Sequence, residues 1–179
     1  MVKYFFICLV YMFAAVQAVN GQDKSVTEIS EMEADSLRQS AHSSSEIQDY
    51  SLACENYGKV ANSKLALLDD VRNYADSIHR LLDSKSRNDI SYLPLLKEWG
   101  EISLKAATHP QHEIQDLRNV AGIYFSSAED TNDTSYAKTA LRFREEAMNH
   151  PHSTANDTQW YEQTKSFFFQ KFGALFLVF

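Results

Sequence analysis

The sequence predicts an all-α fold: an antiparallel helical bundle built on one long heptad-patterned helix, about Glu46–Asp83, with about four shorter helices against it. Three observations predict it. Glycine and proline number only 5 and 3 in 179 residues, so few backbone breakers interrupt the chain. Apolar residues recur every seven positions from Ile47 through Cys54, Ala61, Leu68 and Ala75 to Leu82, the period of packed helices. Downstream, apolar residues fall at helical spacing in four segments separated by polar turns.

The chain opens on a secretory signal pattern, Met1–Ala18. Lys3 supplies the positive start, Tyr4 to Val16 an uncharged apolar stretch, and Val16-Gln17-Ala18 the small residues of a cleavage site. The stretch is shorter than the roughly 20 apolar residues of a spanning helix. Residues 19–44 are polar and acidic and read as a flexible tail, with a short helix conceivable across Val26, Ile29, Met32 and Leu37. The helical domain then occupies 45–179. His42-Ser43-Ser44-Ser45-Glu46 resembles a helix start, because serine caps orphan amides and Glu46 suits the positive end of the dipole.

From that start the heptad seam adds Tyr50, Tyr57, Val71 and Ile78, with Leu65 one place off to cover Lys64. A coiled-coil partner could cover this seam, but the later helices of the same chain are its simpler cover. Asp83 to Asn88 is a polar turn. Pro94 suits a first helical turn, and Leu95, Leu96, Trp99, Ile102, Leu104 and Ala106 carry a helix that ends near Thr108. Glu113–Phe125 is next, through Ile114, Leu117, Val120, Ala121 and Tyr124. Tyr136, Ala140, Phe143 and Ala147 mark another, stopped at His150-Pro151, and Trp160, Tyr161, Thr164, Phe167 and Phe168 begin the last. Ala140, Ala147 and Pro151 echo part of a tetratricopeptide unit, but no second copy is evident and no repeat is read.

The formal net charge is −7, which argues against a general nucleic-acid binder. Of the two cysteines Cys8 leaves with the signal, so Cys54 has no partner in its own mature chain. It is expected as a buried thiol, or else as a bridge to another chain. Asn132-Asp133-Thr134 and Asn156-Asp157-Thr158 are N-glycosylation patterns, both expected in loops of a secreted protein.

No phosphate loop, paired-cysteine motif or nucleophile elbow is present, so neither an enzyme nor a cofactor is expected. One speculative metal cluster remains. If the helices on either side of Glu129–Thr134 form a hairpin, His109, His112, Glu113, His150 and His152 gather at one end. The simpler reading is four ordinary loop histidines beside prolines. The segment 167–179 is nearly all apolar and is expected to dock on the core, to contact lipid, or to serve as an anchor signal.

The function expected is that of a secreted, non-enzymatic helical protein that binds an unidentified extracellular protein. Oligomers could form through the heptad helix or Cys54. The alternative is an extracellular carrier of lipid or a small hydrophobe in a bundle cavity.

Overall fold

The computed structural model describes residues 26–173. The expected signal segment Met1–Ala18 and the last six residues of the apolar C-terminal segment lie outside them. Among the described residues the fold is all-helical, as the sequence predicts. The helices are α1 (Glu31–Glu46), α2 (Tyr50–Ala61), α3 (Leu68–Asp83), α4 (Tyr92–Ala107), α5 (Ile114–Thr131), α6 (Thr134–Met148) and α7 (Ala155–Phe172).

Two expectations are corrected. Most of the expected flexible tail, 19–44, is helix α1. The Ser30 side chain caps it by accepting the Glu33 amide at 3.2 Å, and Glu31 and Glu33 favour the positive end of its dipole. It packs through small residues, Ala34, Ala41 and Ser44, so it buries a face with little hydropathy to announce it. The second correction concerns the long helix Glu46–Asp83, which does not form. Glu46 ends α1, Gln48 takes a left-handed turn at φ 63°, and Asp49 caps α2 through the Leu52 amide at 3.1 Å.

The chain breaks again at Asn62-Ser63. The Asn62 side chain donates to Gly58 O at 2.9 Å beside its own backbone amide, and the Ser63 amide and Oγ (2.7 Å) both turn back onto Val60 O, the carbonyl that a continuing helix would offer to Lys64. From Cys54 to Leu82 the heptad residues nonetheless belong to the core, whereas Ile47 at the head of the seam is 76% exposed. Tyr57, Ala61, Leu68, Val71, Ile78 and Leu82 share one apolar cluster, and Cys54 and Ala75 pack against it. They meet across two helices rather than along one.

The extensive helix–helix contacts all join consecutive helices. The apolar core follows suit, as three clusters strung along the chain. The first spans α1 to α4. The second centres on Leu117, Val120 and Phe143, and the third on Ala128, Ala137, Phe168 and Phe172.

Across this chain of neighbours runs a second set of ties between alternate helices. Arg38 of α1 grips Asp70 at the start of α3 through Nε (2.9 Å) and Nη2 (2.8 Å). Arg72 of α3 grips Asp116 at the start of α5 at 3.0 and 2.7 Å. Arg118 of α5 grips Asp157 at the start of α7 at 2.8 and 2.7 Å. Each aspartate is buried and also accepts the backbone amide three residues before it, from Leu67, Glu113 and Thr154 at 2.8, 2.8 and 2.7 Å. One carboxylate thus satisfies a helix start and anchors the helix to the one two before it.

The loop ahead of each such aspartate repeats too. Seven positions upstream stand Ser63, His109 and His150, and each accepts the amide two residues on (3.1 Å in all three). The fold is therefore a repeat of helical hairpins whose first helices are stapled in a row, an arrangement in which each unit leans on its neighbours.

Candidate functional site

The row of first helices leaves a groove between α3 and α5, floored by α4. It is open to solvent on one side and holds a cavity of about 410 Å³, within the usual range of about 300–1,000 Å³ for ligand pockets. Arg72, Asp76 and His79 come from α3, Trp99 and Ser103 from α4, and Arg118, Asn119 and Gly122 from α5. The His79 and Trp99 rings stack with centroids 4.5 Å apart and planes 8° from parallel, giving the groove a flat wall.

The groove's hydrogen-bonding groups are unequally spent. Arg72 is saturated by acids: Asp116 takes Nε and Nη2, Asp69 takes Nη1 at 3.3 Å, and Glu113 lies 3.3 Å from Nη2. Arg118 spends Nε and Nη2 on Asp157, and no described residue accepts from its Nη1. The hydrogen bond to Asp157 raises the Arg118 pKa above its ordinary value, and the same bond holds the Asp157 carboxyl far below the usual carboxylate range.

Ser103 stands out among the buried serines. Ser44, Ser77 and Ser127 each donate to the carbonyl four residues back in their own helix, and Ser63, just past α2, donates to the carbonyl three residues back. Ser103 is only 4% exposed, lines the groove and hydrogen-bonds to no described residue.

Behind the α5 wall lies Arg144 of α6. Its Nε is buried without a hydrogen-bond partner, and its guanidinium sits 5.0 Å from the Trp160 ring. Burial pushes its pKa below the ordinary value; Asp157 favours its charge and Arg118 opposes it. A methyl group placed on Gly122 would meet only Arg144 Nη2, at 3.9 Å.

The residues singled out in the sequence fall elsewhere. The histidine cluster does not assemble, and no group of three or more His, Cys, Asp or Glu among the described residues is placed to hold a metal. The four histidines serve their own turns. His109 Nδ1 accepts the Gln111 amide, His112 Nδ1 lies 2.8 Å from His109 O, and His150 Nδ1 accepts the His152 amide. Glu113 precedes α5 as its N-cap residue.

Cys54 is half-buried against the first cluster. Burial, with the charge of Glu98, pushes its thiol up to about 12, so it carries little thiolate at neutral pH. Asn132 is exposed and left-handed (φ 57°) at the end of α5, in the expected loop. Asn156 is also exposed but belongs to the first turn of α7 rather than to a loop. Of the apolar end, Phe168 and Phe172 are buried and Phe169 is 54% exposed.

The staple and groove residues were not foreseen. A signal did exist: Asp70-Val71-Arg72-Asn73 and Asp116-Leu117-Arg118-Asn119 are the same short pattern, each just after a turn. Comparison with protein-family models, curated proteins and solved structures gives no match.

Proposed function

We propose that this is a secreted, non-enzymatic interaction protein whose α3–α5 groove receives an extended stretch of another polypeptide. One observation carries the reading: an open groove that combines a stacked His79–Trp99 wall with unspent donors on Ser103 and Arg118. Extended chains offer carbonyls, carboxylates and flat side chains, and this lining complements all three. Stacked helical hairpins present such grooves because each unit adds a helix to one continuous face. The secreted compartment rests on Met1–Ala18 and is compatible with the exposure of Asn132 and Asn156.

Affinity selection of random peptides on the mature chain tests the groove. Wild type should enrich peptides, and Gly122→Leu, which adds bulk at a position lining the groove, should lose them at least ten-fold with thermal stability kept. Enrichment that survives Gly122→Leu would place binding elsewhere, and none at all would end the reading. Expression of the full chain in a eukaryotic secretory line tests the compartment. Secreted protein should lose mass with a glycosidase, and retention in the cytosol contradicts secretion.

A lipid or small-hydrophobe carrier is the second reading, favoured by the aromatic end where Phe169 stands exposed beside Phe168 and Phe172. Flotation of the mature chain with phosphatidylcholine vesicles supports it, and a chain that stays at the bottom of the gradient removes its lipid form.

A further inference from the structure

We propose that the groove grips its polypeptide by a carboxylate, a C-terminus or an Asp or Glu side chain, received by Ser103 and Arg118 with Arg144 behind them. This deepens the peptide-binding reading and rests on it. Three observations point to an anion. Ser103, a residue only 4% exposed, lines the floor of the cavity with a hydroxyl that bonds to no described residue, so a ligand acceptor there meets an available donor. Arg118, on the wall of the same cavity, has an Nη1 that no described residue accepts from.

The charges at this end of the groove do not balance. Arg118 and Arg144 share the single carboxylate of Asp157, which Arg118 occupies in bidentate fashion. Arg144 is left with a buried, unbonded Nε, and its Nη2 lies beside the space over Gly122. In a chain of net charge −7 this is a local excess of positive charge, and a carboxylate would cancel it. The acid at the other end of the groove, Asp76, already lies 3.7 Å from Arg80, so it leaves the excess standing. Gly122 is the counterpart of Asp76 in the repeat: each follows its staple aspartate by six residues. Where α3 carries an acid, α5 carries no side chain, and that omission makes the room.

The body of the ligand would lie along the His79–Trp99 wall. A free small acid offers the same chemistry as a peptide carboxylate, and the test separates them.

Two synthetic pools of random hexapeptides are passed over the mature chain and the retained peptides counted by mass spectrometry. One pool contains Asp, Glu and a free C-terminus. The other carries Asn, Gln and a C-terminal amide in their place. The acidic pool should be retained at least ten-fold better, against the repulsion of an acidic protein. Ser103→Ala and Arg144→Met should each lower that retention several-fold, and Ser103→Ala should leave stability nearly unchanged because the hydroxyl bonds to no described residue. Equal retention of the two pools overturns the carboxylate grip and leaves peptide binding standing. Retention of neither overturns both. In a third arm 3-phenylpropionate is titrated by calorimetry; binding as tight as that of the best peptides overturns the polypeptide source in favour of a small acid.

Discussion

A methyl group at Gly58 would come within 3.0–3.2 Å of three atoms of the Tyr74 ring, whereas one at Gly122 meets a single atom at 3.9 Å. The Tyr74 ring cannot step aside. It is buried, and its hydroxyl donates to Glu98 Oε1 at 2.6 Å, a contact which with burial pushes the phenol well above its ordinary value. Glycine inside a helix costs about 0.5–1 kcal/mol relative to alanine. Gly122→Ala should therefore stabilise by about that much, while Gly58→Ala should destabilise by about 1–2 kcal/mol once the overpacking is counted. Thermal denaturation of the two variants reads both signs at once, and a stabilised Gly58→Ala would show that α2 and α3 are less tightly seated than described. The two glycines look alike in the sequence; only the neighbours supplied by other helices distinguish them.

At the scale of the element, each first helix from α3 onward is held at its start by one aspartate with two duties. Asp157 caps α7 and pairs with Arg118, whose side chain is 21% exposed while its own is fully buried. Breaking a buried pair by removing one partner costs about 3–5 kcal/mol, and partial exposure of the arginine places Asp157→Ala near about 3 kcal/mol. A shift of about 2–4 °C per kcal/mol in a chain of this size makes that a loss of roughly 6–12 °C in Tm. The pH dependence has a definite sign. Because the folded pKa of Asp157 is depressed, its contribution is fully present above the unfolded value of about 3.9 and fades as pH falls below it. Acid titration followed by circular dichroism should show wild type losing stability below about pH 4 more steeply than Asp157→Asn. Parallel curves would deny the staple its role.

Element identity was legible wherever the breaker was strong. Pro94, His109-Pro110 and His150-Pro151 placed both ends of α4, the start of α5 and the end of α6 within about two residues, but α5 runs on from the expected Phe125 to Thr131 and α7 starts at Ala155 rather than Trp160. The α2–α3 break was missed because Asn62-Ser63 stops a helix through side-chain bonds, not through a missing donor, and the apolar period on either side happens to stay in register. Helix α1 was missed because alanine and serine bury a face without raising hydropathy. The aspartates looked like ordinary first-turn acids, and their arginines came from helices 32 to 44 residues away.

Over the whole molecule, packing proceeds from each helix to the next and staples tie alternate helices, so stability is distributed along the chain rather than held at one centre. The same regularity makes the groove, because α3 and α5 are kept in row by Arg72 and Asp116 while α4 lies between them. Reading function from sequence failed at this scale. The groove is assembled from three helices, and the short pattern that Arg72 and Arg118 share marks a repeat but does not say what the groove binds. The central claim is that this groove is where a polypeptide binds. Its most direct test is a ¹⁵N-resolved NMR titration of the mature chain with an acidic hexapeptide recovered by the selection above. The expected result is that amide and indole shifts concentrate on His79, Trp99, Ser103, Arg118 and Gly122 and vanish in Gly122→Leu. Shifts centred instead on the aromatic end of α7, or unchanged in that variant, would contradict the claim.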